Sequence, residues 1–169
     1  YLVDQAKDDP VRYLHNEIGY NYRLTNIQAA LGCSQLENID HHLAEKKRIA
    51  TRYIDALSTI PGITPMQQMA KTESAWWLFT ILVDEREFGM SADTLRESLA
   101  GQGIQTRPLW LSIPRNPAHA ESAVPTPVAD RLVECSVSLP CSVGLAEKDQ
   151  DRVITAIRSL HTSSRTRAA

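Results

Sequence analysis

The chain has 169 residues, of which 43% are hydrophobic and 22% charged, and its formal net charge is −2. This composition is typical of a globular domain and excludes a disordered chain. Without a basic excess, the chain has no positive field to hold nucleic acid or an anionic membrane, and no apolar run is long enough to span a bilayer. Three cysteines without a Cys-x-x-Cys pair argue against a disulfide framework and a zinc site. We expect a cytoplasmic protein.

Two helices are predicted in the first third of the chain. Thr25 is a candidate N-cap, and Gln28, three residues later, completes a capping box. Small residues within the helix that follows favour the close approach of another backbone. Apolar residues at helical spacing predict a second helix from about Ile39 to Ser58, which Pro61-Gly62 ends.

The middle of the chain predicts strands and a short helix. The apolar run Trp76–Val83 is typical of a strand buried on both faces. Trp76 and Trp77 could stack on a sugar or a base, but a buried strand favours a place for both in the core. Ser91 caps a helix that continues through Leu99, and residues 104–107 form the next predicted strand, closed by Pro108.

The last third begins with a proline-rich segment, residues 112–128, which predicts a structured loop. A helix near Ala129–Cys135, an extended piece at Ser138–Leu139 and a last helix from about Glu147 to Leu160 follow. We expect a frayed polar tail over residues 162–169. This order of elements predicts an α+β layer with a small sheet.

The stretch from His15 to Gly32 carries the clearest chemical pattern. Asn21 and Arg23 precede the predicted N-terminus of a helix, where backbone N–H groups and the helix dipole favour an anion. An amide and a forked guanidinium both suit phosphate oxygens. Spacing alone favours the alternative that these two side chains only hold the loop in place.

Three segments together resemble the DegT/StrS-type aminotransferases, which are pyridoxal phosphate (PLP) enzymes that aminate keto groups on nucleotide-linked sugars. They are Gly19–Gly32 with Gln35-Leu36-Glu37, Gly103–Trp110, and Leu139-Pro140-Cys141-Ser142. The resemblance implies the C-terminal small domain of a fold-type I PLP-dependent transferase, with interface helices and a small, mainly antiparallel sheet flanked by helices. It also implies a lead-in and cofactor-phosphate loop over 1–24 and the small domain, with its two long N-terminal helices, over 25–161.

The resemblance further implies roles for particular residues. Asn21 would reach the cofactor phosphate of the neighbouring subunit, with Arg23 beside it and His15 nearby. The nucleotide-sugar substrate would contact Tyr22, Arg107, Trp110 and His119. In this family a histidine and a tyrosine are common at the positions of Pro114 and His119, so the sugar pocket departs from the usual pattern. The implied enzyme is a homodimer with shared active sites that takes its amino group from an amino acid, glutamate by analogy, and serves polysaccharide biosynthesis.

One requirement of PLP chemistry is missing from the sequence. Schiff-base formation needs a lysine, and none of the five lysines lies in the Ser- and Gly-rich context that the family uses. Lys46, Lys47 and Lys148 are expected on solvated helix faces and Lys71 in a loop. Because the chain opens at Tyr1 rather than at a methionine, we expect an excerpt whose catalytic lysine lies upstream. The alternative is a non-catalytic dimerisation or sugar-nucleotide-binding module descended from the family.

Overall fold

The computed structural model describes residues 2, 3, 6, 8, 16–122 and 124–168. By its contacts, the chain divides into two compact units, Tyr1–His41 and His42–Ala169. The domain boundaries predicted after residues 24 and 161 come from the resemblance to a family, and they stay predictions. The helices are α1 (Asn26–Glu37), α2 (Ile39–Leu57), α3 (Glu85–Phe88), α4 (Ala92–Gly101), α5 (Pro127–Glu134) and α6 (Glu147–Ala168).

In the first unit, α1 begins at the predicted capping box. The Thr25 hydroxyl accepts a hydrogen bond from the Gln28 backbone N–H at 3.3 Å, and the Gln28 side chain accepts one from the Thr25 N–H at 2.9 Å. This prediction is confirmed. No side chain of α1 is buried, and no described atom lies within 4 Å of a Cβ placed on Gly32. The close backbone approach that the small residues favour is therefore not found among the described residues.

In the second unit, the described strands form a three-stranded antiparallel sheet in the order β1-β2-β3. The strands are β1 (Ile63–Pro65), β2 (Phe79–Val83) and β3 (Ser136–Leu139). In the register, Ile63 pairs with Val83 and Phe79 pairs with Leu139. Thr80 and Ser138, opposite each other, share a buried hydrogen bond of 2.9 Å between their hydroxyls. The predicted small antiparallel sheet is confirmed.

The core of the second unit lies where α2, α4 and α6 contribute buried side chains to the sheet. Tyr53 of α2 stacks on Phe79 of β2, with ring centroids 5.0 Å apart. The fully buried side chain of Gln150 in α6 donates to the Ile49 carbonyl of α2 at 2.7 Å. Ser91 caps α4 as predicted, since its hydroxyl accepts from the Thr94 N–H. The aliphatic part of the core includes Ile49, Leu57, Ile81, Leu95, Leu99, Val137 and Ile157.

Helix α6 continues through Ala168, beyond the predicted end at Leu160 and through the tail that the sequence predicted to be frayed. Residues 161–169 contain neither glycine nor proline, so nothing in their sequence ends the helix. Short 3₁₀ helices at Ile113–Arg115 and Pro117–Ser122 give turns to the proline-rich segment, and the second is kinked at His119, whose φ is −125°.

The strand predicted over Trp76–Val83 is too long. Trp76 has a positive φ of 48°, which breaks the extended backbone, and β2 begins only at Phe79. Trp76 packs partly buried against Phe79, but 70% of the Trp77 surface is exposed. The prediction that Trp77 lies in the core is therefore wrong.

The strand predicted at residues 104–107 is also wrong, because only Arg107 pairs with the sheet, opposite Ser138. Gly103 has a φ of 70°, and the Ile104 N–H is bound to the Leu99 carbonyl at the end of α4. Pro108 has no N–H, so it cannot extend the ladder past Arg107.

Candidate functional site

The predicted phosphate loop lies directly before α1, with Asn21, Tyr22 and Arg23 exposed. The Asn21 side-chain oxygen accepts the Arg23 backbone N–H at 3.3 Å, which leaves the amide NH₂ available to a ligand. The capping box uses side chains of the loop and the first turn, and the N–H groups of Asn26 and Ile27 have no described partner. This arrangement can bind an anion through an amide, a guanidinium and the positive end of a helix. His15 lies outside the described residues.

A second group of predicted residues surrounds a cavity of about 510 Å³ in the second unit. The cavity lies between α2, the start of α6 and the segments 103–107 and 138–142. Arg107 exchanges two backbone hydrogen bonds with Ser138, at 3.1 and 2.8 Å, so its main chain is fixed to β3. Its exposed guanidinium makes no hydrogen bond or ion pair with any described residue. Arg107 therefore offers the cavity a cation that no described carboxylate neutralises.

Lys46 lines the same cavity, although a solvated helix face was predicted for it. Its ammonium donates to the backbone carbonyls of Trp77 at 3.0 Å and Cys141 at 2.6 Å. The prediction of a solvated Lys46 is wrong because this residue is half-buried at the edge of the packed face of α2 and is bound to two carbonyls. The spacing to Ala50, at i+4, and Tyr53, at i+7, is the sequence signal that could have found it.

Trp110 stacks on Trp77, with ring centroids 5.7 Å apart and an angle of 11° between the planes. Both rings remain largely in solvent, with 66% of Trp110 and 70% of Trp77 exposed. Trp77 lines the cavity together with Arg107. Trp77 therefore links two of the predicted substrate residues, because it shares the cavity with Arg107 and stacks on Trp110. The sequence allows Trp77 as a stacking residue but favours a place in the core, because no periodicity separates it from the buried run that follows.

His119 lies exposed in the 3₁₀ helix Pro117–Ser122. No hydrogen bond, ion pair or ring contact joins its imidazole to Arg107 or Trp110. The structure thus does not gather His119 with the other substrate residues of the second unit, and its role stays a prediction.

Tyr53 lies beneath the segment 138–142, where its hydroxyl donates to the Pro140 carbonyl at 3.0 Å. Burial raises the pKa of Tyr53 well above its ordinary value, and the electrostatic influence of the neighbouring Cys141 raises it further. The phenol therefore stays protonated and supports the backbone of the cavity floor.

The described residues fit the phosphate end of PLP better than its reactive end. Asn21, Arg23 and the start of α1 supply anion donors, as above. Among the described lysines, Lys46 is bound to two carbonyls and Lys47 forms an ion pair with Glu73 at 2.8 Å, while Lys71 and Lys148 are exposed. Lys46 lines the cavity, but its ammonium is held by the two carbonyls, and the other three are not part of that lining. Within the described ranges, no three His, Cys, Asp or Glu side chains converge on a possible metal site.

The model of the DegT/DnrJ/EryC1/StrS aminotransferase family matches residues 3–158. Since this match covers most of the sequence, the chain belongs to that family. The family that the three sequence segments predict is confirmed.

Individual relatives agree with the family match. The GDP-perosamine synthase of Caulobacter vibrioides is 34% identical over 160 residues, covering 92% of this chain and 42% of the relative. DesV of S. venezuelae has 28% identity and a TM-score of 0.77, with 95% of this chain and 42% of DesV covered. The aminotransferase PseC of Helicobacter pylori, involved in pseudaminic acid biosynthesis, has a TM-score of 0.81 at 24% identity, with 96% and 44% covered.

The chain spans about two fifths of the length of the relatives that it matches. Its helices and small antiparallel sheet are those of the corresponding part of sugar aminotransferases, so the predicted fold is confirmed. Across the described part of the chain, no helix is both long and apolar enough to span a bilayer.

Proposed function

We propose that the protein to which this chain belongs is a PLP-dependent aminotransferase. It transfers an amino group from an amino acid, glutamate by family analogy, to a keto sugar linked to a nucleotide. Membership of the aminotransferase family supports the reaction class. The similarity to a GDP-perosamine synthase supports a sugar nucleotide as the substrate. A cytoplasmic location and a role in polysaccharide biosynthesis stay predictions.

The exposed loop at the start of α1 is the observation that carries this proposal. Asn21 and Arg23 precede a capped helix N-terminus, and the Asn21 amide NH₂ has no described partner. This exposed amide lies in the loop before the N–H groups of Asn26 and Ile27, which also have no described partner. A phosphate group would satisfy all of these donors at once.

In this proposal Asn21, Arg23 and His15 hold the cofactor, and Tyr22, Arg107, Trp110 and His119 contact the substrate. When bound, PLP supplies the electron sink that amino transfer requires. The residues of this chain bind and orient its phosphate. The amine and the acidic partner of the cofactor ring would come from another part of the protein, since no described lysine is suitably placed.

A homodimer with shared active sites completes the proposal. The apolar side chains of Leu24, Ile27 and Leu31 are exposed at spacings of three and four residues, on one side of α1 and the residue pair before it. Apolar surface of this kind is typical of a protein–protein interface. A two-fold axis through such a surface would let each loop reach the cofactor of the other subunit.

The test is the variant Asn21→Ala in the full-length protein. We expect PLP to bind at least about tenfold more weakly, because a charge-assisted hydrogen bond is lost, with little change in thermal unfolding. Asn116→Ala is the matched control: its side-chain oxygen also accepts a backbone N–H two residues on, that of Ala118 at 3.2 Å. PLP affinity unchanged by Asn21→Ala, measured by equilibrium dialysis, would contradict the proposal.

The second candidate is a non-catalytic module that binds a sugar nucleotide or mediates dimerisation. The commitment of Lys46 to backbone carbonyls and of Lys47 to Glu73 favours it for this chain alone. Binding of a sugar nucleotide that is as tight without PLP as with it, in a protein that shows no amino transfer, would select this candidate.

A further inference from the structure

We propose that Trp77 and Trp110 form a platform on which the nucleobase of the sugar nucleotide stacks, with Arg107 binding the diphosphate. The two indoles lie nearly parallel and in contact, so a third ring has to stack on an outer face of the pair. This inference rests on the proposed function and adds a base-binding site, including Trp77, to it.

Trp77 and Trp110 are far more exposed than tryptophans usually are. Tryptophan is usually well buried, because its large apolar surface is costly to leave in water. Here two tryptophans expose 70% and 66% of their surfaces side by side. Stacking on each other covers one face of each ring and leaves two flat faces for a ligand.

The main chains of Trp77 and Arg107 are fixed by hydrogen bonds, whereas no described residue binds the Arg107 guanidinium. The Trp77 carbonyl accepts from the Lys46 ammonium at 3.0 Å and from the Cys141 thiol at 3.5 Å. The main chain of Arg107 is bound to Ser138 through both its N–H and its carbonyl. A main chain fixed in this way needs no further ordering when a ligand binds, so only the side chains lose conformational freedom.

The adjoining cavity has more cationic than anionic side chains in its lining. Its lining includes three cationic side chains, Lys46, Arg107 and Arg152, and one carboxylate, Asp149. Lys46 is bound to two carbonyls and Arg152 donates to the Gln102 carbonyl. Arg107 remains available, and a guanidinium binds phosphate oxygens well. An aromatic platform beside a cationic cavity matches the two ends of a nucleoside diphosphate.

The cavity also has a suitable size. A volume of about 510 Å³ lies within the range of pockets that bind small organic ligands. Planar bases of either class can stack on an indole, because every base has a π face. The platform itself therefore selects for a base, while contacts outside it would select which base.

The experiment is calorimetric titration of the 169-residue chain with GDP, UDP and inorganic pyrophosphate. We expect both nucleoside diphosphates to bind at least about tenfold more tightly than pyrophosphate, because only they carry a base. Trp77→Ala and Trp110→Ala should each remove most of that difference without changing pyrophosphate affinity. Arg107→Gln should weaken all three ligands.

Trp76→Phe is the matched control, since Trp76 packs against the core and not in the aromatic pair. It should leave all affinities unchanged. Trp77→Phe keeps a flat ring and should retain part of the preference for nucleoside diphosphates, which guards against an alanine variant that fails to fold. The proposal is overturned if wild-type chain binds neither nucleotide at millimolar concentration, or if both alanine variants bind nucleotides like wild type. The latter result would indicate that the pair is covered by another protein surface.

This test is separate from that of the proposed function. Loss of PLP on Asn21→Ala combined with unchanged nucleotide binding in the tryptophan variants would keep the aminotransferase and reject the platform. Normal PLP binding in Asn21→Ala combined with base-dependent binding at the tryptophans would keep the platform and contradict the proposed function.

Discussion

Tyr53 shows how a single polar group can support a functional surface from inside the core. Its ring is fully buried and stacks on Phe79, and its hydroxyl satisfies the Pro140 carbonyl at the edge of the cavity. A buried carbonyl without a partner costs about 1–3 kcal/mol. The phenol therefore contributes to the core and to the position of the 138–142 segment at the same time.

The raised pKa of Tyr53 predicts how stability depends on alkaline pH. Its pKa in the folded chain exceeds the ordinary value of 10.0, so the folded state holds its proton more tightly than the unfolded state does. The resulting stability is complete below about pH 10 and is lost as pH rises above it, with a slope of up to about 1.4 kcal/mol per pH unit. Urea unfolding between roughly pH 8 and pH 11, a range that brackets the ordinary tyrosine pKa and not the raised one, measures the slope.

Tyr53→Phe should flatten that dependence and lower stability at neutral pH by about 1–2 kcal/mol, because the Pro140 carbonyl loses its donor. Tyr22→Phe, at an exposed position, should keep the wild-type slope. Identical slopes in wild type and Tyr53→Phe would show that another group controls alkaline unfolding.

The sequence predicts some of these residues and not others for a physical reason. Asn21 and Arg23 lie beside a helix start that local hydrogen bonding determines, so their neighbourhood can be inferred from a few adjacent residues. The partners of Lys46 lie 31 and 95 positions away. Such contacts depend on the tertiary fold. Helical spacing alone could indicate the side of α2 on which Lys46 lies, but not the two backbone carbonyls that it binds.

At the scale of elements, α1 and α4 have similar caps and different surroundings. Thr25 and Ser91 each accept a backbone N–H three residues on. Helix α4 buries Ala92, Leu95 and Leu99 in the core, whereas α1 buries no side chain. The same local interaction should therefore have different consequences for the stability of the chain.

We expect Ser91→Ala to lower the free energy of unfolding of the core by about 1 kcal/mol, the usual value of an N-cap. Thr25→Ala should leave the unfolding of the core unchanged and instead speed amide hydrogen exchange within residues 26–37, because α1 opens locally. Urea unfolding and hydrogen exchange of both variants measure these effects. Equal losses of core stability would contradict the expected independence of α1.

Element boundaries were predicted well where capping or a helix breaker defines them, as at α2 and α4. They failed where tertiary pairing decides. Trp76 and Trp77 are apolar like the residues of β2, so the sequence does not separate them from the strand, yet the pairing with β3 begins only at Phe79. Residues 104–107 have strand-like side chains, but hydrogen bonding at the end of α4 and Pro108 leave room for a single pair.

At the scale of the whole molecule, exposed apolar surface on the first unit predicts self-association. Leu24, Ile27 and Leu31 expose 71%, 75% and 62% of their surfaces. Burying such side chains is favourable by about 1.5–3 kcal/mol each, so contact between copies should be favoured.

Sedimentation velocity over a range of protein concentrations tests this expectation. Leu31→Glu should raise the concentration at which half of the chain is associated at least about tenfold, since it places a charge in an apolar contact. Gln35→Glu adds the same charge to α1 at an exposed polar position and should have little effect. Equal association of both variants and wild type would exclude this surface as the contact.

The single backbone pairing between Arg107 and Ser138 has a consequence for how such a protein can diversify. Beyond this pair the chain leaves the sheet at Pro108, passes through α5, which begins at Pro127, and rejoins the sheet at β3. Insertions, deletions and replacements within the intervening segment thus leave the register of all three strands intact. A designer could exchange this segment between homologous proteins as a cassette, with the hydrogen bonds at Arg107 as the fixed upstream junction.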